Sequence, residues 1–190
     1  MGLAGAVAVV LVVVGPLVGG SIKMIFQIRR WVRHITAMPW ITQRLFSLEV
    51  LKEIEATVAH VENQHAGEIR FVVETALDIT ELWHGLSARE RAIQVFSSLR
   101  IWDTALNNGV LIYILMADRQ VEIIADRGIA ARVSEVEWRA ICLEAECNYR
   151  AGRFREGACN SVVGVGHLLG QHFPSQGADQ NEQPNHPVLL

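Results

Sequence analysis

The sequence predicts an α/β layer domain over residues 44–173, with helices covering a small sheet. Three observations carry the prediction. Two strongly apolar runs, EIRFVVETAL (68–77) and GVLIYILMA (109–117), are too crowded with β-branched and aromatic residues for a helical stripe. A third run, QVEIIAD (120–126), follows the second after only Asp118-Arg119. Segments with helical periodicity and recognisable caps stand before, between and after these runs.

In chain order, residues 47–65 open at a candidate Ser47 cap, align Leu51, Ile54, Val58 and Val61 on one face, and stop before Gly67. Residues 68–77 form the first strand. Ser87-Ala-Arg-Glu90 is a capping box, so a helix carrying Ala92, Val95, Phe96 and Leu99 runs from there to about Arg100. A crossover of that length makes the second strand, 109–117, parallel to the first, and its apolar content makes it central. Two intervening residues return the third strand as an antiparallel hairpin. A second capping box at Ser134–Glu137 opens a helix with Trp138, Ile141, Cys142, Ala145 and Tyr149 on one stripe, ending near Gly152. Phe154, Ala158, Val162, Val165 and Leu169 mark a last helix. The tail, 174–190, is polar until its final three residues and is expected to be disordered.

The N-terminus has a different character. Residues 1–22 carry no charge, whereas 23–46 hold Lys23, Arg29, Arg30, Arg33 and Arg44 and no acid. An uncharged stretch of about 20 residues matches the hydrocarbon thickness of a bilayer, so an N-terminal apolar helix spanning the membrane is expected. The basic residues behind it place the domain on the cytoplasmic face of the inner membrane. A secretory signal would open with basic residues, the reverse of this order. If translation starts at Met24, the chain is instead a soluble cytoplasmic protein. Residues 23–43 form a basic amphipathic segment: Ile25, Ile28, Trp31, Val32 and Ile35 lie at helical spacing against Arg29, Arg30, Arg33 and His34. That pattern suits an anionic leaflet, making residues 1–35 a membrane contact, or a helix packed on its own domain.

Composition narrows the function. With 17 basic and 20 acidic side chains the net charge is -3, which argues against nucleic acid as a partner. Cys142, Cys147 and Cys159 cannot all pair within one chain, and Cys142 and Cys147 diverge by about 140° on a helix, so neither a disulfide framework nor a shared zinc site is indicated. Gly164-Val-Gly166-His-Leu-Leu-Gly170 looks like a dinucleotide loop, but it lies inside a helical stripe with no room for a following strand, so no nucleotide is expected. No nucleophile elbow, Walker loop or calcium-hand loop is present.

Topology supplies what motifs do not. If the first two strands are parallel and the third returns, the start of the first, the start of the second and the end of the third share one rim. Glu68, the loop Asp103–Gly109 and Asp126-Arg127-Gly128 meet there. Asp103, Asn107, Asn108 and Asp126 would offer oxygens to Ca2+ or Mg2+, with Glu68, Arg127 and Gly128 completing a binding edge. Turn chemistry and a surface ion pair explain the same residues without a ligand. The opposite rim, with Asp78, Glu81, Asp118 and Arg119, reads as solvated turns.

The segments GEIRFVVET, VFSSLRIWD and NNGVLIYILMADRQVEIIADRGI together resemble the TPM domain family, named for thylakoid-lumen, photosystem-repair and nematode receptor-auxiliary members, and the chain reads as a bacterial member. The likeness covers most of residues 47–170. It implies a three-layer α/β/α sandwich with a small mixed β-sheet. It also implies divalent cation binding, an acid phosphatase activity known from plant relatives, and upkeep of membrane complexes. Asp103, Asn107, Asn108, Asp126, Arg127 and Gly128 match the family's polar positions. Many members have Asp where this chain has Asn107, which removes a charge from any cation site.

Three functions follow. The first is a membrane-held module that binds a divalent cation or a membrane-protein partner at the rim. The second is a metal-assisted phosphatase in which Arg127 neutralises developing charge. The third is a structural adaptor for a membrane complex.

Overall fold

The computed structural model describes residues 21–175 and 182–190. The transmembrane span expected over residues 1–22 lies, but for its last two residues, outside them. Among the described residues no helix is long and apolar enough to cross a membrane.

Eight helices and four strands are described. Helices α1 (Ser21–Thr36), α2 (Pro39–Leu45) and α3 (Leu48–Glu62) precede β1 (Glu68–Glu74). Helices α4 (Ile79–Trp83) and α5 (Ala88–Ser98) cross to β2 (Gly109–Leu115), which turns into β3 (Gln120–Ala125). A short α6 (Arg127–Ala130), then α7 (Glu135–Arg150) and α8 (Phe154–His172), lead to β4 (Val188–Leu189). The sheet order is β3-β2-β1-β4, with β1 parallel to β2 and β4, and β2 antiparallel to β3. The mixed sheet and its flanking helices form the expected α/β/α sandwich.

Strand alternation builds the two outer layers. Ile69, Phe71 and Val73 of β1 and Val110, Ile112 and Ile114 of β2 face α3, α7 and α8, where they meet Ile54, Val58, Val162, Val165 and Leu169. Val72, Leu111, Tyr113 and Leu115 face the other way, onto Ala92, Val95 and Phe96 of α5 and Leu82 of α4. Both faces of β1 and β2 are therefore buried, which explains why neither run alternates in the sequence. Ser47, Ser87 and Ser134 cap α3, α5 and α7, the last two through full capping boxes. The glycines of 164–170 serve helix packing: a Cβ on Gly166 would strike Val61, and one on Gly164 would press on Ile141.

Three expectations are corrected. The hairpin turn has four residues, 116–119, closed by the Arg119 amide on the Met116 carbonyl, and Arg119 takes the left-handed conformation. The tail is not disordered over its described residues. Its final apolar residues complete the sheet as β4, because the outer edge of β1 leaves backbone groups that must be paired. Asp118 is no solvated turn residue: α1 packs over the hairpin and buries its carboxylate.

Candidate functional site

The rim exists as topology requires. Glu68 pairs with Gly109 across β1 and β2, and Val110 with Ala125 across β2 and β3, so the loop before β2 and the segment after β3 are neighbours. Asn107, in the left-handed conformation, accepts the Gly128 amide on its backbone carbonyl at 2.9 Å. Its side-chain Oδ1 accepts from Arg127 Nε at 2.9 Å. Asp126 caps α6, its Oδ1 accepting the Arg127 amide at 2.7 Å, while its buried Oδ2 has no hydrogen-bond partner among the described residues. Gly128 is required by close approach, since a Cβ there would stand 2.5 Å from the Asn107 carbonyl oxygen and 2.7 Å from that of Leu106.

The structure thus brings Asn107, Asp126, Arg127 and Gly128 together. It separates the others by task. Asn108 is buried, its side-chain amide donating to the Ala66 carbonyl and its backbone amide donating to Thr104 Oγ1. Asp103 is exposed, and its side chain makes no hydrogen bond or ion pair among the described residues. Glu68 is buried and accepts from the backbone amides of Glu182 and Gln183.

As a cation cage this arrangement fits poorly. Asn107 Oδ1 is committed to a guanidinium, Asn108 turns its donor inward, and of the rim's carboxylates only Asp126 Oδ2 and the exposed Asp103 are left without a partner among the described residues. A hard divalent cation takes six or more oxygens, and a guanidinium bonded to one of its would-be ligands weakens its hold. Among the described residues no three His, Cys, Asp or Glu side chains are grouped to hold a metal ion. The residues present do not fit the cation that the resemblance implies.

Two polar clusters escaped sequence reasoning. At the entry to β1, Glu62 accepts the Ile69 amide at 2.9 Å, and buried Arg70 donates to the Pro184 carbonyl. Burial pushes the Glu62 carboxyl up to about 8; the Ile69 amide opposes this, and the negative charge of Glu68 adds to it. At the far end of the sheet, Arg30 Nε lies 2.9 Å from Asp118 Oδ2, Arg33 reaches Oδ1 at 3.4 Å, and His34 Nε2 lies 3.1 Å from the same oxygen. Beside them Arg91 forks onto Glu74, which also accepts the Tyr113 hydroxyl. Burial and the Glu74 carboxylate together push the Tyr113 phenol up. The only advance sign of these clusters was charge inside the apolar runs, at Arg70 and Glu74.

Concave surface also lies away from the predicted rim. One cleft of about 340 Å³ is lined by Ile114, Met116, Arg119, Glu146 and Tyr149, and another of about 340 Å³ by Thr42, Thr75, Leu77, Asp78 and Leu190. Both open where β1 and β2 end.

Comparison with known proteins bears on this geometry. The family model described as TPM domain matches residues 42–167, more than half of the chain. No curated protein matches. Among solved structures, the NMR structure of the BA42 protein from the psychrophilic bacterium Bizionia argentinensis is similar with a TM-score of 0.67 and 29% identity, covering 76% of this chain and 94% of that one. The N-terminal domain of a protein from P. gingivalis, with a TM-score of 0.55 and 16% identity over 70% of this chain and 83% of that one, shares the fold.

Proposed function

Because the chain belongs to the TPM domain family, we propose that it is a non-enzymatic TPM module laid on an anionic membrane surface by α1 and the short helices beside it. One observation carries the proposal: α1 is seated by its polar edge and turns apolar residues outward. Arg30 and His34 face Asp118, and Trp31 packs edge-on against Trp83 with ring centres 6.2 Å apart. Ile25, Val32 and Ile35 remain about half exposed, although a helix made only to pack would bury them.

At 100° per residue, Met24, Ile25, Ile28, Val32 and Ile35 fall within a sector of about 100°, with Arg29 and Arg33 in the next sector. Met38, Trp40 and Ile41 around α2, and Ile79 and Trp83 of α4, are exposed as well. Apolar stripe, flanking arginines and indole rings are what an interfacial helix needs to sit at headgroup level. No observation favours the phosphatase, since the Arg127 guanidinium that would neutralise a phosphoryl group is engaged with Asn107.

Vesicle co-sedimentation of the full chain tests this. Binding to phosphatidylglycerol-containing vesicles should exceed binding to phosphatidylcholine alone and should weaken with salt. The triple change Ile25→Ser, Val32→Ser, Ile35→Ser should cut partitioning at least tenfold. Unchanged partitioning of that variant removes the surface from consideration.

A further inference from the structure

A third cleft, of about 260 Å³, lies where the corner between α1 and α2 meets the turn between β2 and β3. It shares Met116 and Arg119 with the cleft at Tyr149, and Thr42 and Thr75 with the cleft at Leu190. Its charge differs from theirs. Glu146 lines the first of those clefts and Asp78 the second, whereas this one is lined by two arginines, Arg33 and Arg119, and among the described residues by no carboxylate.

Neither arginine is committed to the fold. Asp118 is taken by Arg30 at 2.9 and 3.2 Å and by His34 at 3.1 Å, so Arg33 keeps a single contact at 3.4 Å and stays nearly half exposed. The Arg119 guanidinium is exposed and has no hydrogen bond or ion pair among the described residues. Arg119 also holds the left-handed conformation, φ 56°, which glycine adopts without strain. The turn therefore keeps, against a backbone penalty, a cation that no contact within the fold explains.

A hydroxyl donor completes the lining. Thr42 is buried, and Thr75 Oγ1 donates to Thr42 Oγ1 at 3.1 Å. Two hydroxyls that share one hydrogen bond leave one O–H proton without an acceptor among the described residues. Two guanidinium groups and a hydroxyl donor match the oxygens of a phosphate. Met38 and Ile41 line the same cleft and are exposed on the surface assigned above to the membrane.

We propose that this cleft binds the phosphodiester of an anionic phospholipid headgroup. Arg33 and Arg119 pair with its charged oxygens, the Thr42–Thr75 hydroxyls donate one further bond, and the glycerol end of the lipid leaves past Met38 and Ile41 toward the bilayer. The inference rests on the membrane reading and adds a saturable site to it. Diffuse attraction to an anionic leaflet treats all surface arginines alike, whereas a built site singles out those that line it. The volume is below the roughly 300–1,000 Å³ of pockets that enclose a whole ligand, so it takes a headgroup and leaves the acyl chains outside.

The test titrates the full chain with dihexanoyl phosphatidylglycerol below its micelle concentration, and separately with glycerol 3-phosphate and inorganic phosphate, following amide NMR shifts. Saturable shifts should gather at residues 33–42, 75 and 116–119, with both soluble phosphates at least tenfold weaker. Arg119→Gln should weaken lipid binding roughly fivefold, the loss of one charge-assisted bond. Arg29→Gln, equal in charge but outside the cleft, should change it less than twofold. The triple change Ile25→Ser, Val32→Ser, Ile35→Ser leaves the cleft intact, so it should lose vesicle binding and keep the shifts; surface and cleft thus fail separately. Absence of saturation with the monomeric lipid overturns the proposal even where the parent chain binds vesicles, as do equal losses from Arg29→Gln and Arg119→Gln. Equal affinity for free phosphate assigns the cleft to a soluble anion and overturns it too.

Discussion

Asp118, in the hairpin turn, and His34, on the first helix, meet at 3.1 Å with both side chains almost fully buried. His34 Nδ1 accepts the Leu77 amide at 3.0 Å, so the imidazole proton lies on Nε2, toward the carboxylate. One histidine therefore ties α1, the loop after β1 and the hairpin together, and Arg30 adds a bond to the Leu86 carbonyl. This joint fixes the orientation in which α1 shows its apolar stripe.

Replacing Asp118 with Ala should release α1. It strands a buried imidazole N–H and a half-buried guanidinium, a loss of about 3 kcal/mol or more. Thermal unfolding should fall accordingly, and limited proteolysis should cut within residues 24–36 while the rest of the domain resists. Burial alone would raise the Asp118 carboxyl, but the His34 hydrogen bond and Arg30 outweigh it and hold the group below the usual carboxylate range. A lowered folded value means that this stabilisation is present above the ordinary aspartate range and is lost as pH falls through the folded value. Acid should therefore free α1, and Asp118→Asn should remove that acid dependence.

Glu62 gives the opposite pH dependence. Its folded value of about 8 lies above the ordinary 4.5, so between those limits the unfolded chain binds fewer protons than the native one. The site stabilises the fold most below about 4.5, and that contribution declines as pH rises toward 8. Glu62→Gln keeps an oxygen for the Ile69 amide and removes the ionisation. The variant should match the parent near pH 5 and exceed its melting temperature near pH 8. Parallel melting curves across that range would show that Glu62 does not titrate in this window.

These clusters mark where sequence reasoning stopped. The capping boxes at Ser87 and Ser134, the apolar strands and the rim at Asn107 and Asp126 depend on local pattern and strand direction, both legible in the chain. Asp118 looked like any turn acid, because its burial comes from a helix far away in sequence. The tail looked disordered because its hold on β1 is mostly backbone bonding to Glu68 and Arg70, which leaves no periodicity; Val188-Leu189-Leu190 was the one clue. Rim membership was readable, but the direction of the Asn108 side chain was not.

Gly128 tests whether the rim is a lock. A methyl group there collides with the carbonyl oxygens of Asn107 and Leu106, which are backbone atoms and cannot swing aside. Gly128→Ala should cost about 1–3 kcal/mol, toward the upper end because the obstacle is main chain. In a chain of this size that is a fall of roughly 2–4 °C in melting temperature per kcal/mol. Arg127→Ala, which removes only an exposed hydrogen bond to Asn107, should cost under about 1 kcal/mol. Equal losses for the two changes would mean that the guanidinium, not the close backbone approach, holds the rim together.

The committed oxygens around Asp126 give the last prediction. Calcium or magnesium at millimolar concentration should leave the amide NMR signals of residues 103–109 and 126–128 in place, and a chelator should not change the melting temperature. Arg127 is the reason: its guanidinium holds Asn107 Oδ1 and brings a positive charge to the rim, while its backbone amide takes Asp126 Oδ1. Arg127→Ala combined with Asn107→Asp removes that charge and restores a second carboxylate at the edge, so calcium shifts should emerge in the double variant alone. Saturable shifts already present in the parent chain would show that the loop rearranges around the ion, and would return the rim to the cation-binding role that its family resemblance implies.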